Sequence, residues 1–116
     1  KKISNHLSKV EKGFNTGNIL MNDKYYSIVF CSDTEYMSDT FDHMKNIYPD
    51  YDLYIINYGT GISMRAAKPE INIGLISKQF GGGGHAGAGG FKIPFETQVA
   101  YMAQAFNATI YVDEKE

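Results

Sequence analysis

The stretch INIGLISKQFGGGGHAGAGGFKIP, Ile71 to Pro94, decides how this chain is read. Its first part sets Ile73, Ile76 and Phe80 at helical spacing behind Asn72, whose side chain can cap a helix. Its last part, GFKIP, reads as a strand halted by proline. Between them, seven glycines and one histidine crowd into the eleven residues Gly81–Phe91. Glycine in a regular element costs roughly 0.5–1 kcal/mol relative to alanine, so this density needs a local cause. Gly81 falls where a helix end favours a left-handed residue.

The order helix, glycine loop, strand excludes two familiar phosphate sites. A Walker A loop and a dinucleotide fingerprint both open a helix, whose N-terminus lends positive potential to the phosphate. Here the loop follows a helix C-terminus, where the partial charge has the opposite sign. An anion at Gly82, Gly83 and Gly84 would need a nest of consecutive N–H groups made by torsions of alternating sign. His85 can donate a further hydrogen bond, since an imidazole with an ordinary pKa of about 6.5 takes up a proton readily beside a phosphate. Arg65, in the short apolar strand ISMRA, adds a guanidinium fork suited to a phosphate, and Ser63 shares its face. The competing reading of Arg65 is a structural ion pair with Asp or Glu.

Outward from this stretch, helical and strand patterns interleave. GNILM and KYYSIVFC flank Asn22-Asp23 as a hairpin whose second arm, apolar on both faces, is an interior strand. SDTE, Ser32–Glu35, has the form of a capping box before a helix bearing Met37, Phe41, Met44 and Tyr48 and stopped by Pro49. YDLYIINYG and GISMRAA are two strands around Thr60-Gly61. A helix follows from about Phe95 to Phe106, TIYV is a last edge strand, and DEKE is a frayed end. The expected fold is α/β (α+β), a single domain with a mixed sheet of about five strands packed by helices. Residues 1–16, with Ile3, Leu7 and Val10 at helical spacing, read as a linker or helix from a missing N-terminal domain, and residues 17–116 as the domain proper.

Composition narrows the function classes. The chain has 116 residues, 43% of them hydrophobic, and a net charge of −2, which argues against a broad electrostatic grip on nucleic acid or acidic membranes. No run approaches the roughly 20 apolar residues of a membrane span, and no signal peptide is evident, so a cytoplasmic placement is expected. Cys31, the single cysteine, lies in an apolar run and reads as a buried structural thiol. His6 and His43 read as surface residues, and Tyr26, Tyr48 and Tyr54 as core. Asp39, Asp42 and His43 on one helix make at most a weak metal site. The Asn107-Ala-Thr triplet matches a glycosylation acceptor by chance.

ISKQFGGGGHAGAGGF, preceded by GISMRAA, resembles the DHHA1 domain, the C-terminal domain of the DHH-family phosphoesterases, a group that includes oligoribonuclease-like and RecJ-like enzymes. The resemblance is strongest from about Gly59 to Pro94. It implies that Gly82, Gly83, Gly84 and His85 grip a substrate phosphate and that Arg65 points into the same cleft. It also implies a partner, an N-terminal DHH domain in the same full-length chain, which would hold manganese and perform the hydrolysis. This chain shows no DHH or DxD triplet, so no cofactor and no catalytic residue is assigned to it, and alone it is expected to be inactive. Relatives often carry a basic or amide residue after the histidine, whereas Ala86 and Gly87 stand here. The implied ligand is a short RNA or a nucleotide phosphate. The second reading is an RNA-binding module of a tRNA synthetase or editing enzyme.

Overall fold

The computed structural model describes residues 2–113. The chain enters as helix α1 (Lys2–Val10), turns through a 3-10 segment (Glu11–Gly13) and forms β1 (Asn15–Met21) and β2 (Lys24–Ser32). Asn22 and Asp23 both take positive φ, as a two-residue turn between twisted strands requires. Helix α2 (Met37–Ile47), the hairpin β3 (Leu53–Asn57) and β4 (Gly61–Arg65), helix α3 (Ile73–Lys78), β5 (Gly83–Gly84), β6 (Ala88–Lys92) and α4 (Phe95–Phe106) follow. The strands form one mixed sheet in the order β1-β2-β3-β4-β6-β5, with β2 and β3 parallel and the other neighbours antiparallel.

The sheet has six strands rather than about five, because two glycines of the glycine run, β5, pair with β6. Helix α2 lies on one face. There Phe41 and Met44 pack with Val29, Cys31, Tyr54 and Ile56, and Phe14 joins them just ahead of β1. On the other face Ile71 and Ile73 pack against Leu53 and Met64. The side chain of Asn72 accepts the Leu75 amide, as its position ahead of the apolar repeat suggests.

Two local expectations are corrected. Ser32 does not cap α2, because β2 runs through it; instead the buried Asp33 accepts the Thr34 and Glu35 amides and the Thr40 hydroxyl, and the helix starts from Tyr36 in a left-handed conformation. The TIYV segment forms no strand. Asn107 turns left-handed to end α4, and the residues after it stay exposed, joining neither edge of the sheet. Of the acidic DEKE end, Glu114 onward lies outside the described residues.

The histidines expected at the surface are also corrected. His6 of α1 bonds the Asp33 carboxylate at 2.9 Å, and His43 of α2 bonds Glu11 at 2.7 Å, because α1 packs alongside α2 and brings these groups together. Burial alone would raise the Asp33 carboxyl, but the bonds from Thr40, His6 and the Glu35 amide outweigh it and hold the group below the usual carboxylate range. Burial, reinforced by the Asp33 charge, pushes the Cys31 thiol up to about 11. Tyr54 is buried, while Tyr26 and Tyr48 are half-buried against the two clusters. Among the described residues no helix is long and apolar enough to cross a membrane.

Two measurements check this picture. A carboxylate with a depressed folded pKa stabilises the protein above its unfolded pKa and loses that contribution as pH falls through the folded value. Asp33→Asn should therefore lower stability at neutral pH and flatten the acid limb of urea unfolding followed by circular dichroism. A thiol buried and held protonated should resist a thiol-specific reagent in native protein at pH 8 and react promptly in urea.

Candidate functional site

Residues directly opposite one another on neighbouring strands share a face of the sheet. Arg65 faces Tyr54 on one side and Ala88 on the other, and Ser63 faces Ile56 and Gly90, with Gly83 beyond. Tyr54 and Ile56 lie under α2, so Ser63 and Arg65 are on the α2 face of the sheet. The helix covers only the β2–β3 half. Over β4, β6 and β5 the floor is Ala88 and Gly90, and the surface falls into an open depression of about 460 Å³ lined by Ser63, Arg65, Gly84 and His85 together with Met37 and Tyr58.

The amide of His85 donates to the Ala88 carbonyl at 2.7 Å, closing a tight turn over Ala86 and Gly87. Arg65 and His85 thus flank Ala88 from either side, about 10 Å apart at the usual strand spacing. The Arg65 guanidinium lies over the Phe41 ring, 4.5 Å from its centroid, and donates one bond of 3.3 Å to the Met64 carbonyl. Among the described residues, the ion pairs join His6 to Asp33, His43 to Glu11 and Lys68 to Asp52, and none involves Arg65.

The glycines serve a different purpose from the one their sequence suggests. A Cβ on Gly82 would collide with the Gly90 carbonyl, and one on Gly90 with the Ile62 carbonyl. The run therefore lets three backbone segments lie against each other without side chains between them. Positive φ falls at Gly81 and Gly84, and a Cβ on Gly83 would meet open space. Gly82 and Gly83 are not in the lining of the depression.

The amides of Gly81, Gly82 and His85 are already bonded to Lys78, Ser77 and Ala88, so they do not form an anion nest. The turn is instead tied down through its carbonyls. The carbonyls of His85 and Ala86 accept the first amides of α3, from Gly74 at 2.8 Å and Ile73 at 2.7 Å, and the Gly87 carbonyl accepts from Ala66. In a trans peptide N–H and C=O point opposite ways, so the amides of Ala86 and Gly87 are turned away from α3, which lies on the opposite face from α2.

The sequence pointed to Ser63, Arg65, Gly84 and His85, which meet at the depression. It missed Tyr58 and Met37, which reach it from the β3–β4 turn and from the start of α2; only the three-dimensional crossing of α2 brings Met37 there. Asp39, Asp42 and His43 form no cluster: among the described residues no three His, Cys, Asp or Glu side chains gather closely enough to hold a metal ion.

Comparison with known proteins agrees at the level of fold. No family model matches the chain, and no curated protein sequence matches it. Among solved structures, a pGpG-specific phosphodiesterase, PggH, from Vibrio cholerae is similar over 90% of this chain, with a TM-score of 0.55 and 20% identity. An uncharacterized protein from Helicobacter pylori G27 is similar over 78%, with a TM-score of 0.53 and 23% identity. The matched region is 38% of the first protein and 28% of the second, so this chain spans well under half the length of either. At this identity the likeness is one of fold, a fold that the phosphodiesterase also contains.

The steric account separates glycines that sequence alone treats alike. Gly82→Ala and Gly90→Ala should each destabilise the domain by about 1–3 kcal/mol, the range for overpacking against fixed neighbours. Gly83→Ala should leave stability nearly unchanged. Urea titrations of the three variants check this, and equal losses at all three positions would refute it.

Proposed function

We propose that this chain is the substrate-binding domain of a cytoplasmic phosphoesterase of the DHH type, holding a phosphate of a short nucleotide for chemistry performed by an N-terminal domain of the same polypeptide. The observation that carries this reading is the meeting of Ser63, Arg65 and His85 over a floor of only Ala88 and Gly90, with a guanidinium that pairs with no carboxylate among the described residues. A half-buried guanidinium without an anionic partner is unfavourable, and a phosphate is the anion its fork fits best. The fold shared with a pGpG-specific phosphodiesterase supports the same reading.

In this role the Phe41 ring backs the Arg65 guanidinium and the Met64 carbonyl takes a bond from its Nη1, leaving the Nε and Nη2 donors for phosphate oxygens. His85 donates from the opposite wall, and Ser63 offers a hydroxyl. Gly90 and Ala88 permit the close approach. The manganese that the reading assigns to the other domain finds no ligand set among the described residues, so no step of hydrolysis is placed here.

The test is direct. Hydrogen bonds to a charged group contribute about 1.5–3 kcal/mol, so Arg65→Ala and His85→Ala should each weaken pGpG binding about ten- to a hundredfold in calorimetric titration, with unchanged circular dichroism. Unchanged affinity in both variants would refute the site. With manganese and pGpG the 116-residue chain should show no turnover; activity that follows the protein peak through repurification would place catalysis in this chain. Stronger binding of a long RNA than of the dinucleotide would favour the RNA-binding module instead.

A further inference from the structure

We infer that the crevice beside the phosphate depression, outside the carboxyl ends of β2, β3 and β6, is a nucleobase subsite of the same ligand site. The inference rests on the phosphate reading above and extends it to the chemical class of the group attached to that phosphate.

Strands β2 and β3 are parallel, and β6 runs with them because β3 and β6 are each antiparallel to β4. Ser32, Asn57 and Lys92 therefore end on one side of the sheet, and α4 begins there, just after β6. In sheets flanked by helices, the space beyond the carboxyl ends of such strands is where ligands bind. Here that space is a crevice of about 510 Å³, larger than the depression itself, and Tyr58 belongs to the walls of both.

The walls suit a flat, neutral, hydrogen-bonding ring. Tyr58, Tyr101 and Met102 supply aromatic and polarisable surface, and Tyr101 is 73% exposed, so a ring stacked on it would cover apolar area now in water. Two amides have their orientation fixed by bonds at one end. Gln98 donates through Nε2 to the Ile93 carbonyl at 2.9 Å, leaving Oε1 as an acceptor, and Asn57 Oδ1 accepts the Gly59 amide at 2.8 Å, leaving its NH₂ as a donor. A held donor and a held acceptor in one crevice match the edge of a base. The one carboxylate in the walls, Asp33, has its oxygens taken by His6, Thr40 and two backbone amides, so it offers no free anion to attract a cation.

The spacing fits a single nucleotide. The Tyr58 hydroxyl lies directly over Gly61, where any Cβ would strike it, and the Lys92 ammonium sits 5.5 Å from the ring centroid. Gly61 precedes Ser63 by two positions on the same strand face, about 7 Å. A phosphate held among Ser63, Arg65 and His85 can thus pass its base beyond Tyr58 into the crevice.

The experiment uses the 13.0 kDa chain and amide NMR with two probes, pGpG and ribose 5-phosphate. Both should shift the resonances of Ser63, Arg65 and His85, and only pGpG should shift the side-chain amides of Asn57 and Gln98. Tyr101→Ala, at an exposed position, should weaken pGpG binding about five- to a hundredfold and leave ribose 5-phosphate binding unchanged. If pGpG moves the first group while Asn57 and Gln98 stay still, or if Tyr101→Ala affects neither probe or both equally, the base subsite is overturned and the phosphate site stands. If neither probe moves Ser63, Arg65 and His85, the phosphate reading falls and the subsite with it.

Discussion

Close backbone approach around β6 is the constraint on which the rest of this structure depends. Gly90 lies against the Ile62 carbonyl and Gly82 against the Gly90 carbonyl, with no room for a Cβ at either place. Because nothing stands between these segments, the two glycines of β5 can add a sixth strand, and the turn at His85 folds back onto the start of α3. The amides of Ile73 and Gly74, which at a helix N-terminus lack partners within the helix, are satisfied by the carbonyls of that turn. One packing condition thus fixes the edge of the sheet, the start of a helix and the position of His85 together. It also leaves a strip of sheet with no side-chain relief, bounded by Ser63 and Arg65 on one side and His85 on the other.

Much of this was legible in the sequence, and the residues show why. The Asn22-Asp23 turn, the interior strand YYSIVFC, the Asn72 cap and the span of α4 are local signals, carried by residues within a few positions of one another. Arg65 and Ser63 could be paired because a strand has a period of two. The readings that failed depended on distant neighbours. SDTE has the spacing of a capping box, but its serine was needed by β2, and the carboxylate next to it took over the amides. TIYV has strand composition but pairs with neither edge of the sheet. His6 and His43 looked solitary because their partners, Asp33 and Glu11, lie 27 and 32 positions away.

The glycines illustrate a subtler limit. A run of them signals that side chains are unwelcome without saying whether a ligand or the protein's own backbone occupies the space. At Gly82 and Gly90 the occupant is backbone. At Gly83 nothing stands nearby, and the loop carbonyls are turned toward α3, which directs the amides of Ala86 and Gly87 the other way.

The shortness of β5 has a consequence for association between molecules. A sheet edge is a template on which another chain can add a strand, and proteins blunt such edges by making them short, charged or kinked. At two glycines, β5 offers too few free backbone groups to recruit a neighbour, so the sheet is closed to growth on the side that carries His85. The opposite edge is β1, seven residues of regular strand with asparagine and threonine but no lysine or proline along it. Among the described residues, the edge long enough to accept another strand is therefore β1, at the far side of the sheet from the depression.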